Sequence, residues 1–228
     1  RIQQIRQHLR RAECRDFSMF LALNGLNFAF QIQIKTRLFD ANFTAGGLLL
    51  TELNNLKPIL LGDYVVEKLK EEEGMNAFIA IKTEGARKRI LSEVKRRYEY
   101  APEGFWPLFF ELSAKEQALA AFYLCLKSYR LVLEMHLELG VPKFKTGGDL
   151  TRYDVTLFLD TLAGNNVEVS SWSSTTLDKL NGQYRMVLKD CGLMEGERVK
   201  AVYGVDEALW SFFKEKGEDW FLEACFIE

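Results

Sequence analysis

Residues 113–139 read SAKEQALAAFYLCLKSYRLVLEMHLEL, and this stretch decides the fold class. Ser113 followed three residues later by Glu116 matches a capping box, in which the two side chains satisfy each other's backbone N–H groups at a helix start. Leu119, Phe122, Tyr123, Leu126, Leu133 and Leu137 then recur at the 3.6-residue period of one helix face. Gly140 and Pro142 are the natural stop. At about 1.5 Å per residue such a helix would be about 40 Å long, a central strut for the domain. The expectation is therefore a mainly all-α fold, a compact multi-helix globule built around one long helix.

The flanking sequence agrees. The whole chain holds only four prolines, which disfavours a turn-rich all-β fold. Upstream, Thr44 is a candidate cap for a helix over residues 45–54, Pro58 can open the next one toward the charged run 67–73, and Gly74 ends it. Thr83 can cap a helix from Glu84 to about Tyr98, with Pro102 just beyond. Downstream, residues 143–150 form a looser stretch before a short helix near 151–163. Ser173, Ser174 or Thr175 caps a helix striped by Leu177, Leu180, Tyr184, Val187, Leu188 and Cys191, and Gly192 ends it. Residues 196–205 suit a short extended element, 206–216 a further helix, and Trp220, Phe221 and Phe226 a last apolar cluster.

The N-terminal end reads differently. Residues 1–14 can form a basic amphipathic helix with Ile2, Ile5 and Leu9 on one side. Phe28, Phe30, Ile32 and Ile34 alternate with Asn27, Ala29, Gln31 and Gln33, the period of a strand or extended arm over 27–38. Residues 17–34 carry no charge, but Asn24, Asn27, Gln31 and Gln33 make a membrane span costly. No small-residue cleavage site follows, so a signal peptide is not expected. The organisation expected is an N-terminal extension (1–37), a helical region (38–112) and a C-terminal helical region (113–228).

Composition narrows the chemistry. With 48% hydrophobic and 27% charged residues the chain is globular rather than disordered. Cys14, Cys125, Cys191 and Cys225 lack metal-ligand spacing, so free thiols in a reducing cytoplasm are expected. His8 and His136 are far apart, which leaves a Ser-His-Asp or Cys-His site without support, and His136 sits in an apolar run where a packed core histidine is expected. The phosphate-loop spacing is absent, and Gly46-Gly47 and Gly147-Gly148 read as turn or close-packing glycines. No catalytic residue, metal, cofactor or small-molecule substrate is expected.

Charge is segregated although the net is only −2. Residues 1–15 hold five arginines and one glutamate, residues 87–97 six basic residues and one acid, and residues 206–228 two lysines and seven acids. At 100° per residue the helix from Glu84 turns Ile90, Val94 and Tyr98 inward and Lys88, Ser92, Lys95 and Glu99 outward, with Arg89 and Arg96 beside them and Arg87 nearer the apolar side. Lys88, Arg89, Lys95, Arg96 and Arg97 are thus candidate phosphate contacts on a recognition helix. Thr175, Lys179, Arg185 and Lys189 lie off the stripe of the 174–191 helix, and Arg198 and Lys200 could sit on a wing behind it. That second element is nearly neutral, with five basic and four acidic residues over 174–200, so the first helix is expected to dominate nonspecific binding.

Four blocks also resemble a known family. Residues 39–50, FDANFTAGGLLL, are similar to the opening signature of the BrxA family of bacteriophage exclusion (BREX) systems. Residues 86–97, ARKRILSEVKRR, the long helix after Ser113, and residues 174–180 continuing to 188–193 follow in the same order. The resemblance spans about 38–195. It implies an all-helical protein with two helix-turn-helix-like elements that binds double-stranded DNA and works with other BREX subunits, among them a DNA methyltransferase and ATPases. The family fold is also similar to the helical bundle of the RNA-binding factor NusB. The rival expectations are a helical adaptor that docks other defence subunits or binds RNA, and a membrane-associated subunit held by residues 17–34.

Overall fold

The computed structural model describes residues 38–227. The expected basic helix over 1–14, the uncharged run 17–34, the arm over 27–37, Cys14 and His8 lie outside these residues. Within them the chain is mainly helical. A 3-10 turn, Asn42–Ala45, leads to α1 (Leu50–Asn55), α2 (Lys57–Leu60), α3 (Val65–Met75), α4 (Glu84–Tyr100) and α5 (Phe105–Phe109). Then come α6 (Ala114–Ser128), α7 (Arg130–Met135), a π-helical turn His136–Gly140, and α8 (Val141–Thr146). The C-terminal part comprises α9 (Arg152–Asn165), α10 (Val167–Ser170), α11 (Ser174–Asp190), a hairpin of β1 (Met194–Glu195) and β2 (Arg198–Val199), α12 (Glu207–Glu215) and α13 (Trp220–Ala224).

The centre of the molecule is α6. Residues 118–126 are all buried, so this helix is apolar on every side and is enclosed by others. It packs against α1, α4, α7 and α11. Its capping box forms as expected: Ser113 Oγ accepts from the Glu116 N–H, and the Glu116 carboxylate accepts from the Ser113 N–H at 2.9 Å. Around its C-terminal half, Tyr123 meets Phe105, Phe213, Trp220 and Phe221 with ring centroids 4.6–6.2 Å apart.

The single 40 Å strut is corrected. Tyr129 leaves the helical region (φ −120°, ψ 108°) and splits the run into α6 and α7. No glycine or proline causes this. Tyr129 is drawn into the core, where its hydroxyl donates to Glu93 Oε2 at 2.6 Å, and tertiary contacts override local helix propensity. Nor do Gly140 and Pro142 stop the helix: the chain passes through the π turn into α8, with Pro142 in the first turn where its missing N–H is harmless. Gly140, at the end of the π turn, is a close-packing position. A Cβ at Gly140 would lie 2.7 Å from His136 Nδ1 and 2.8 Å from the Tyr184 hydroxyl oxygen.

Other boundaries shift. Thr44 does not cap a helix over 45–54; it lies inside the 3-10 turn and its hydroxyl donates to the Ala41 carbonyl. Helix α1 starts only after Leu49, which is held at φ 58°. The helix Pro58 opens is a single turn, and α3 begins separately and runs through Gly74 to Asn76 in the left-handed region. Thr83 occupies the N-cap of α4, but its side chain makes no cap hydrogen bond. Ser173 caps α11, and Asp206 caps α12. The extended element expected over 196–205 is a hairpin centred slightly earlier, on 194–199. No helix among the described residues is long and apolar enough to cross a membrane.

Candidate nucleic-acid interface

Helix α4 is fixed from below. Ile90, Leu91 and Val94 are buried against α3 and α6. Arg87 holds the α3–α4 loop by donating to the carbonyls of Glu73, Ile81 and Lys82, the structural role its inward position suggested. On the outer face Lys88 and Lys95 are half-exposed and paired along the helix, with Glu84 at 2.6 Å and Glu99 at 3.8 Å. Arg89 is exposed and makes no ion pair among the described residues. Arg96 is only 28% exposed and reaches Asp40 at 2.9 Å and Glu93 at 3.6 Å.

Arg97 is not on this surface. It is 1% exposed, and its guanidinium donates to the carbonyls of Gly47 and Leu48 and, at 3.4 Å, to the Tyr129 hydroxyl. The reason lies in the helix period: Arg97 is seven residues after Ile90 and three after Val94, so it falls on the buried stripe. One of its carbonyl partners, Gly47, belongs to the glycine pair read as a close-packing turn, and the other, Leu48, follows it directly. Gly47 has φ +57°, and a Cβ there would lie 2.2 Å from Gln183 Nε2 of α11. The buried arginine therefore ties the 39–50 segment to α4 and α11. Its two Nη groups are hydrogen-bonded, which offsets much of the cost of burying the charge, while its Nε is left without a partner.

This changes the charge comparison. Of the six cations over 87–97, Arg87 and Arg97 are committed to backbone carbonyls and Arg96 to two carboxylates. Three remain outward-facing, Lys88, Arg89 and Lys95, with Glu84 and Glu99 among them. The expected dominance of α4 over the second element rested on cations that the fold uses internally.

The second element is built as helix, short helix, helix, hairpin. Thr151 and Asp154 form a capping box at the start of α9 that the sequence reading did not identify. Asn181, also missed, is buried on α11 and donates to the Arg152 carbonyl (2.8 Å) and Thr156 Oγ1 (2.9 Å), fixing α9 against α11. Arg152 and Asp178 add an ion pair at 2.9 Å across the same helices. Leu180, Tyr184, Val187 and Leu188 bury the inner face of α11, as their spacing predicted. Thr175, Lys179, Met186 and Lys189 are exposed on its outer side. Arg185 is instead 17% exposed and bonds to Glu197 at 2.8 Å, which pins the hairpin to α11. Arg198 donates to the Gly147 carbonyl and lies 3.8 Å from Asp149, and Lys200 pairs with Glu195 at 2.5 Å.

Elsewhere the titratable groups are structural. His136 is fully buried; its Nε2 lies 2.7 Å from the Ala224 carbonyl and its Nδ1 3.0 Å from the Tyr184 hydroxyl. Burial lowers its pKa to about 4, against which the Ala224 hydrogen bond acts weakly. Cys125, Cys191 and Cys225 are free, buried thiols whose pKa values burial raises. Among the described residues no group of three or more His, Cys, Asp or Glu side chains is placed to hold a metal ion.

Comparisons with known proteins bear on the family and the fold. The BrxA family profile matches residues 37–216, including the 39–50 turn, α4, α6 and α11. A BREX protein BrxA from Bacillus cereus (strain H3081.97) is 22% identical over 166 residues, covering 72% of this chain and 83% of that protein. A crystal structure of an uncharacterized protein from Magnetospirillum magneticum superposes with a TM-score of 0.68 at 20% identity, over 82% of this chain and 97% of the other, and shows the same fold. With four-fifths of its length matched by that profile, the chain belongs to the BrxA family.

Proposed function

We propose that this protein is a non-enzymatic, double-stranded DNA-binding subunit of a BREX phage-defence system. The observation that carries the reading is the α9–α10–α11–hairpin unit. Its element order, helix, short helix, helix, hairpin, supports reading it as a winged helix-turn-helix, with α11 as the helix that would enter the major groove and β1–β2 as the flanking wing. Thr175, Lys179 and Lys189 lie outward on α11, and Arg198 and Lys200 on or beside the hairpin, where duplex phosphates would pass. Helix α4 presents Lys88, Arg89 and Lys95 as a second set of phosphate contacts. Surface ion pairs such as Lys88–Glu84 are worth only about 0–1 kcal/mol, so phosphate can displace the glutamate. System membership rests on the family and on the B. cereus relative's name, and other BREX subunits are the implied partners.

Binding is expected to be largely independent of sequence, because few outward side chains suit base-edge readout. An electrophoretic shift series across salt tests it. If about four phosphates are neutralised, affinity falls about 100-fold between 50 and 200 mM salt. Lys179→Glu with Lys189→Glu, and separately Lys88→Glu with Arg89→Glu, should each cut affinity at moderate salt to comparable extents while helical circular dichroism is unchanged. Absence of binding at low salt, or full binding by both folded variants, sinks the DNA reading. The adaptor reading would then gain from Tyr153 and Leu157, 71% and 52% exposed one turn apart on α9.

A further inference from the structure

The outer face of α11 carries a residue that phosphate binding does not explain. At 100° per residue Thr175, Lys179, Gly182, Met186 and Lys189 fall within an arc of about 80°, and all five are exposed. Met186 is 48% exposed, a long apolar side chain in the middle of an otherwise polar face. The apolar stripe of the same helix, Leu180, Tyr184, Val187 and Leu188, is fully buried on the opposite side. Met186 therefore adds nothing to the core that these four residues build. Gly182 lies one turn before it. A Cβ at Gly182 would meet nothing within 4 Å, so internal packing does not require a glycine there. Glycine also weakens a helix relative to alanine. What the bare backbone provides is close approach from outside, directly beside the methionine.

Charge commits this face to one occupant. Lys179 and Lys189 stand at its two ends and make no ion pair among the described residues. Asp178 and Asp190 lie at its edges, and Asp178 is held by Arg152 at 2.9 Å. The lysines are ten residues apart, about 15 Å along the axis. The major groove of a duplex is about 12 Å wide. A helix seated in that groove brings both ammonium groups to phosphates on its walls and turns Gly182 and Met186 to the base edges. Methionine has no strong donor or acceptor, so it cannot read the hydrogen-bond pattern of a base pair. The apolar group that the major groove offers is the C5-methyl of thymine. An unbranched thioether chain adapts to whichever thymine lies near it. We propose that α11 reads thymine methyl groups through Met186, which gives the duplex binding a mild preference for A·T pairs. This rests on the duplex-binding reading of α11 and adds a base contact to it.

The test is fluorescence anisotropy of the full chain at low salt with two A·T-rich duplexes of one sequence, one carrying thymine and the other uracil in its place. They differ only in the C5-methyl groups. Burying one methyl is worth about fourfold in affinity, so wild-type protein should bind the thymine duplex about three- to fivefold more tightly. The ratio should be insensitive to salt although both affinities fall with it, because the methyl carries no charge. Met186→Gln should bind the thymine duplex as weakly as wild type binds the uracil duplex, and should leave uracil-duplex affinity unchanged. Met186→Leu, apolar and of similar volume, should keep the preference. Met186 is on the surface, so both variants should fold, and helical circular dichroism checks this. Equal binding of the two duplexes by wild type overturns the proposal alone and leaves the DNA reading standing. A preference that survives Met186→Gln, or one lost with leucine as well as with glutamine, does the same. Binding of neither duplex overturns the proposal and the DNA reading together.

Discussion

Replacing Arg97 separates a structural cation from a binding one. In Arg97→Met the side chain keeps its approximate length but loses every donor. The carbonyls of Gly47 and Leu48 lose their guanidinium partner, and buried Glu93 and Tyr129 lose the nearby positive charge. Removing one partner from a buried charged network costs about 3–5 kcal/mol, since the remaining groups stay buried without compensation. For a chain of this size about 1 kcal/mol shifts Tm by 2–4 °C, so a loss of roughly 6–20 °C is expected. Thermal melts followed by far-ultraviolet circular dichroism would measure it. At a temperature where the variant is still folded, duplex affinity should stay within about twofold of wild type. The converse pattern should hold for Lys95→Met: Tm nearly unchanged, duplex affinity reduced, and a salt slope shallower by about 0.9, the contribution of one phosphate contact. A variant Arg97→Met with unchanged Tm and abolished duplex binding would refute the buried-network account and return Arg97 to the binding surface.

Two further substitutions read the packing, one of them as a function of pH. Gly140→Ala should destabilise by about 1–3 kcal/mol in urea titrations, because the added methyl meets His136 Nδ1 at 2.7 Å and the Tyr184 oxygen at 2.8 Å; Gly182→Ala in α11, with nothing within 4 Å, should instead stabilise by up to about 1 kcal/mol. Equal signs for the two would contradict the crowding at the π turn. His136 is neutral when buried and has a folded pKa of about 4 against an ordinary value of 6.5, so the unfolded chain binds the extra proton between these values. Its contribution is intact above pH 6.5 and is lost as pH falls from there toward 4, amounting to about 2 kcal/mol at pH 5. The drop in stability between pH 7.5 and 5 should therefore be larger in wild type than in His136→Gln by about that amount, and equal drops would show that His136 does not titrate as its burial requires.

What the sequence made legible was local. Ser113, Ser173 and Asp206 start helices because a cap needs only its own side chain and the next turn. The stripes of α4 and α11 are legible because burial follows the helix period. What stayed hidden depends on partners far away in the chain. The split at Tyr129 comes from Glu93, 36 residues earlier, and the fixing of α9 on α11 by Asn181 depends on carbonyl and hydroxyl groups 25–29 residues distant. Arg97 is intermediate. Its spacing from Ile90 and Val94 already placed it inward, yet counting it by charge put it with the phosphate contacts.

The same distinction bears on how charge should be read in this fold. A run of six cations in eleven residues suggests a polyanion surface, and half of it serves the interior. Arg87 closes a loop, Arg97 clamps the glycine turn, and Arg96 is anchored by Asp40 and Glu93. These roles make the 39–50 segment and α4 one unit, since both Asp40 and the Gly47 carbonyl take arginines from α4. The turn of that segment in turn meets α11 at Gln183. The two candidate binding helices are thus joined through a buried arginine and a glycine pair rather than through a flexible linker.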